Sequence, residues 1–124
     1  MDDLYQENII DHYKNPRNFG DLKSATTVVE TNAGCGDTIQ MSLKLKGNKV
    51  SQIKFKGEGC AISMAAASML TEEALNNSVQ KINNLTLKDI EKLMKISISP
   101  GREKCVTVPL LSLKKAVNKS RKKK

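Results

Sequence analysis

The chain has no tryptophan, and its aromatic side chains are two phenylalanines and two tyrosines among 124 residues. Any core must therefore be aliphatic, built from Ile, Leu, Val, Met and Ala. A surface that recognises single-stranded nucleic acid by stacking bases is argued against on the same ground. No apolar run reaches the roughly 20 residues that a membrane-spanning helix needs, so no membrane association is expected. The opening Met1-Asp2-Asp3 carries the wrong charge for a secretory signal, and the expected location is cytoplasmic. Cysteines number three. An odd count suits a disulfide framework badly, and in a reducing compartment such thiols point to metal or sulfur chemistry. No two of them form the short Cys-x2–4-Cys pair that structural zinc sites favour.

What remains is basic. The formal net charge is +8. Five of the positive charges lie in Lys119-Ser120-Arg121-Lys122-Lys123-Lys124, and taking five from +8 leaves +3. The expectation is one domain over residues 1–118, followed by a basic, disordered tail over 119–124. A charge confined to a terminus is weak support for a nucleic-acid partner. The chain shows no internal repeat and no interdomain linker.

Residues 3–14 read as a helix with Leu4, Ile9 or Ile10, and Tyr13 on one side, closed by Asn15-Pro16-Arg17-Asn18-Phe19-Gly20. Residues 26–31 are β-rich. From Asp37 to Lys46 the pattern alternates: Ile39, Met41, Leu43 and Leu45 point one way, and Thr38, Gln40, Ser42 and Lys44 the other. Gly47-Asn48 makes a turn and Val50–Lys56 returns, with a bulge near Ser51 to reconcile Val50 with Ile53 and Phe55. Gly57 and Gly59 are expected to end the sheet. An alanine-rich buried helix follows from Cys60 to about Leu75. Thr86 and Asp89 form a capping box for a helix with Leu87, Ile90, Leu93 and Met94 as its stripe. A last helix is expected from near Thr107, with Pro109 in its first turn and Val106, Leu110, Leu113 and Val117 as its packed face. The fold class is α+β: a three-stranded antiparallel sheet with helices packed on one face.

Each cysteine stands at a corner: Asn32-Ala33-Gly34-Cys35-Gly36-Asp37, Gly57-Glu58-Gly59-Cys60-Ala61, and Pro100-Gly101-Arg102-Glu103-Lys104-Cys105. Cys35 and Asp37 are two apart, so an extended backbone projects them to one face. Cys60 and Cys105 are expected at or just before helix starts, where unsatisfied N–H groups favour a thiolate. Three thiolates and a carboxylate suit one tetrahedral ion or one small iron–sulfur cluster. Ionised, they carry −4. One Zn²⁺ or one oxidised two-iron, two-sulfide core then leaves about −2, and Arg102 and Lys104 are candidates to support that excess. Oxygen is a hard donor that suits iron–sulfide poorly, so cargo held partly by Asp37 is expected to be releasable. His12 is the sole histidine. It lies far from the cysteines in sequence and is expected in polar packing or at an interface.

With these motifs the chain resembles the U-type iron–sulfur cluster assembly scaffolds, the IscU/NifU N-terminal/SufU family. The likeness covers nearly all of it. Leu4-Tyr5 and Ile10-Asp11-His12-Tyr13-Lys14-Asn15-Pro16-Arg17-Asn18-Phe19-Gly20 are similar to the family's N-terminal signature, and the three cysteine segments match its ligand motifs. The resemblance implies a SufE/NifU-like (IscU-like) fold. It implies sulfur delivered as a persulfide by a cysteine desulfurase, a [2Fe-2S]-type cluster built on Cys35, Asp37, Cys60 and Cys105, and transfer to recipient apoproteins, with electrons from a separate donor. It also implies that Zn²⁺ can occupy the same four residues. Flanking glycines make Cys35 the first-choice sulfur acceptor, with Cys105 the alternative.

Two departures bear on the branch. Lys104 stands where the IscU branch has a histidine before its third cysteine. Lys95-Ile96-Ser97-Ile98-Ser99-Pro100 replaces the LPPVK-type segment, which argues against a dedicated Hsp70 chaperone as partner. Both lean toward SufU, a zinc-dependent sulfurtransferase, while the Cys60–Cys105 spacing is that of IscU. The branch stays open. A basic zinc-binding nucleic-acid module is the reading from a different class.

Overall fold

The computed structural model describes residues 3–32 and 36–122. In chain order the elements are α1 (Asp3–Lys14), β1 (Thr26–Asn32), β2 (Asp37–Lys46), β3 (Lys49–Glu58), α2 (Ala61–Ala74), α3 (Val79–Asn83), α4 (Leu87–Met94), a 3₁₀ turn (Pro100–Arg102) and α5 (Glu103–Lys122). The strands form one antiparallel sheet in the order β1-β2-β3.

Alternation dictates how the sheet is buried. Ile39, Met41 and Leu43 on β2 and Ile53 and Phe55 on β3 turn inward, and each is at most 3% exposed. The β2–β3 register shifts where Lys44 pairs with Gln52 and Leu45 with Val50, which leaves Ser51 as the extra residue. Its hydroxyl donates to the Lys44 carbonyl at 3.1 Å. That bulge restores the inward phase of Val50, which is fully buried. The sheet runs through Gly57 and ends between the two glycines: Gly57 pairs with Ile39 and Glu58 with Thr38, and Gly59 lies beyond the strand.

α2 is the centre of the molecule. Eleven of its fourteen residues are buried, because it is packed by α1, α5 and β3. Its run of Ala65, Ala66 and Ala67 allows close approach, and Met64, Met69 and Leu70 fill the gaps. α5 lies across β1 and β2, burying Val106, Leu113 and Val117 with Leu110 at the margin. Lys115 pairs with Glu30, and Lys119 Nζ donates to the Thr27 carbonyl at 3.3 Å, so the far end of α5 is tied to β1. α5 carries residues 119–122 as helix, although composition suggests disorder there. A reciprocal amide pair at 3.0 Å, Asn83 with Asn118, joins α3 to α5. No helix among the described residues is long and apolar enough to cross a membrane.

Two expectations need correction. On α1 the packed face holds Ile9, 5% exposed, whereas Ile10 and Tyr13 are 47% and 48% exposed. Polar bonds set this rotation. His12 Nδ1 meets Ser68 Oγ at 2.7 Å, and the Asn8 amide donates to the Met94 carbonyl at 3.4 Å. The second correction concerns α5, which begins at Glu103 and not near Thr107. The Pro100–Arg102 turn starts the winding early, so Cys105 lies inside the first turn and Pro109 well inside the helix.

The segment after α1 binds the sheet edge and α2 together. Phe55 N–H donates to the Asn18 carbonyl and Gly20 N–H to the Phe55 carbonyl, both at 2.8 Å. Arg17 N–H donates to Ser68 Oγ at 2.9 Å, and the Asn18 amide to Thr71 Oγ1 at 3.1 Å. His12 joins this network as a polar packing residue. Burial lowers its pKa first and the Arg17 guanidinium adds to this, against the opposing pull of Glu72 and Asp11. A folded-state value below the ordinary one means that the unfolded chain protonates first as pH falls. Stability is therefore full above about pH 6.5 and declines as pH drops through it toward the lowered value. Melting temperature should fall between about pH 7.5 and 5.5, and His12→Gln should flatten that slope. An unchanged slope in the variant would contradict the assignment.

Candidate metal centre

Asp37 is the first residue of β2 and shares the inward phase of Ile39 and Met41, so its carboxylate is driven into the interior at 1% exposure. Cys60 is the N-cap of α2, with φ −73° and ψ 167°, and its Sγ accepts the Ser63 N–H at 3.4 Å. A thiol here fills the role that Ser or Asp usually takes, at the end of a helix where negative charge is favoured. Cys105 is the third residue of α5 and 5% exposed. β2, α2 and α5 thus bring their starts to one place. One ligand atom each from Asp37, Cys60 and Cys105 lies within 4.8 Å of the others. Neither described cysteine is in a disulfide.

The donor chemistry fits a metal. Zinc–sulfur bonds of about 2.3 Å at tetrahedral angles put ligand atoms about 3.8 Å apart, so modest side-chain adjustment closes this set onto one ion. The two carboxylate oxygens are not equivalent. Asp37 Oδ1 accepts the Cys60 N–H at 3.1 Å. Asp37 Oδ2 is buried and has no hydrogen-bond partner among the described residues. A buried carboxyl oxygen in that condition is costly unless a partner meets it.

Cys35 lies outside the described residues. On its C-terminal side Gly36 is described: its N–H donates to the Asn32 carbonyl at 2.8 Å, and its φ is +77°, a conformation glycine adopts without strain. Lys104 is exposed on the first turn of α5. Arg102 belongs to the preceding 3₁₀ turn, and its side chain lies outside the described part of the chain.

Sequence reasoning gave two residues of the second cysteine motif, Gly59 and Ser63, no role at the centre. A Cβ at position 59 would lie 2.6 Å from Asp37 Oδ1 and 2.6 Å from Ser63 Oγ, so Gly59 makes room for both oxygens. Ser63 is fully buried. The signal for it was available in the capping geometry, because the third residue of a helix turns its N–H back to the cap.

A small antiparallel sheet with helices on one face and an Asp/Cys/Cys cluster where three elements begin defines an α+β protein with metal-ligand residue types gathered at one place. The chain belongs to the family of the NifU-like N terminal domain, whose model matches residues 4–124. It is 40% identical to the zinc-dependent sulfurtransferase SufU of Bacillus subtilis (strain 168), over 96% of this chain and 92% of that one. It is 31% identical to the iron–sulfur cluster assembly scaffold protein IscU of Streptococcus pyogenes serotype M1, over 97% and 86%. Among solved structures, the N-terminal part of a nitrogen-fixing NifU-like protein from Brucella abortus has the same fold. Its TM-score is 0.76 at 16% identity, covering 99% of this chain and 98% of that one.

Proposed function

We propose that the protein is an iron–sulfur cluster assembly scaffold that accepts sulfur from a cysteine desulfurase, assembles a [2Fe-2S]-type cluster and passes it to recipient apoproteins. The observation that carries this is the gathering of Asp37, Cys60 and Cys105 with an unpartnered carboxylate oxygen among them. Cys35, two residues before Asp37, is the fourth ligand in this reading. Iron and sulfide are the cargo.

Sulfur arrives by thiol exchange. The Cys35 thiolate attacks the outer sulfur of the desulfurase persulfide, a new S–S bond forms on Cys35, and the desulfurase thiolate leaves. That step is electron-neutral, and reduction of the transferred sulfur to sulfide draws two electrons from a separate donor. The 5% exposure of Cys105 supports Cys35 over it as the first acceptor. The Ser63 N–H donates to Cys60 Sγ at the start of α2, and Asp37 supplies the one oxygen donor.

The second reading is a zinc-dependent sulfurtransferase that uses the same four residues, and the 40% identity to SufU favours it. Here Cys35, Asp37, Cys60 and Cys105 would hold Zn²⁺, which would keep the Cys35 sulfur ionised as the acceptor of sulfur from the desulfurase. One experiment separates the two. Anaerobic incubation with iron, cysteine and a desulfurase should yield visible cluster absorption that transfers to an apoprotein. Silence in that assay, with desulfurase turnover accelerated by zinc-loaded protein and lost on chelation, would establish the second reading in its place.

A further inference from the structure

We propose that Ser63 is a positioning residue for this centre: its hydroxyl fixes the Asp37 carboxylate so that Oδ2 is presented to the ion. The inference rests on the metal-binding reading above. Ser63 is fully buried, yet its Oγ has no hydrogen-bond partner among the described residues. A hydroxyl in that state destabilises the fold on its own. Asp37 Oδ2 is a second such atom in the same place. The point 2.6 Å from Ser63 Oγ and 2.6 Å from Asp37 Oδ1 is where Gly59 would carry a Cβ, so the two oxygens flank one small space kept open by a glycine.

The geometry gives the roles. Asp37 Oδ1 already accepts the Cys60 N–H at 3.1 Å. The Ser63 hydroxyl makes no direct bond to the carboxylate as it stands; rotated about χ1, or bridged by one water, it gives Oδ1 a second donor. With Oδ1 held twice, Oδ2 is left for the metal. The Ser63 N–H meanwhile donates to Cys60 Sγ at 3.4 Å, so a single residue orients two ligands. Partners of this kind hold ligating carboxylates in place, and their loss typically weakens metal binding by about 10- to 100-fold.

The test uses Zn²⁺ in competition with a chromophoric chelator, Co²⁺ absorption as a report on the ligand set, and melting of the metal-free protein. Ser63→Ala should bind Zn²⁺ at least about tenfold more weakly and shift the Co²⁺ bands. Its metal-free form should melt at the same temperature as the parent or higher, because an unpartnered hydroxyl has been removed. Ser63→Thr, which keeps the hydroxyl, should recover affinity. In an Asp37→Ala background Ser63→Ala should have no further effect, since the residue acts through the carboxylate. Unchanged Zn²⁺ affinity in Ser63→Ala, or the same loss with and without Asp37, would overturn the proposal. So would a loss of affinity accompanied by lower metal-free stability, which marks a structural role. If the parent chain binds no Zn²⁺ or Co²⁺ at all, the metal-binding reading falls first and this inference with it.

Discussion

Replacing Gly57 with alanine should cost a large share of the folding stability, although the change adds one methyl group. The added Cβ would lie 2.0 Å from the Thr38 carbonyl oxygen, 3.0 Å from its carbon and 3.1 Å from the Ile39 Cα. These are backbone atoms of the central strand, so no side chain can rotate away. Gly57 pairs with Ile39, two residues from Asp37. Relieving the contact pushes β3 from β2 at the end of the sheet that carries the carboxylate. The expected cost is about 3 kcal/mol or more, against the gain of about 0.4–1 kcal/mol that Gly→Ala brings at a permissive position. Gly101→Ala is the control, because a Cβ there meets nothing within 4 Å. Urea unfolding of the two variants should separate them widely. A Gly57→Ala midpoint close to that of the parent would show that the strands part without penalty.

The other large effect should fall on release of cargo. Asp37→Ala removes the only oxygen donor of the proposed set and one negative charge from a site that is 1% exposed. A hard carboxylate is the weakest of the four donors toward iron–sulfide and the first to be displaced by a recipient's thiol. Taking its charge away also reduces repulsion among the thiolates. The variant should therefore retain a reconstituted cluster longer and transfer it to an apoprotein about tenfold more slowly or worse. Transfer is followed by the loss of visible absorption from the donor as it appears in the recipient. Equal or faster transfer would contradict the account of Asp37 as the releasing ligand.

Much of this architecture is legible in the sequence where one local rule dominates. Alternation from Asp37 to Lys46 marks β2, and the phase error between Val50 and Ile53 marks the bulge at Ser51. The Thr86–Asp89 box marks the start of α4 with both reciprocal bonds in place. Where non-local contacts decide, the reading fails. The face of α1 is set by His12 reaching Ser68, fifty-six residues on, and not by apolar spacing. α3 spans five residues, too short for a period to emerge. The site is legible as far as its ligand types, because glycine corners and helix starts are local. Ser63 and Gly59 are not, because their meaning arises only when α2 is set against the start of β2.

Pro109 lies within α5, four residues beyond Cys105. A proline ring offers no N–H to the carbonyl four positions earlier, so the turn bearing Cys105 is joined to the body of α5 by one helical bond fewer. Both parts are packed: Cys105 and Val106 are buried before the proline, and Ser112, Leu113, Ala116 and Val117 after it. Cys105 is therefore placed by the packing of its own turn more than by the helical ladder behind it.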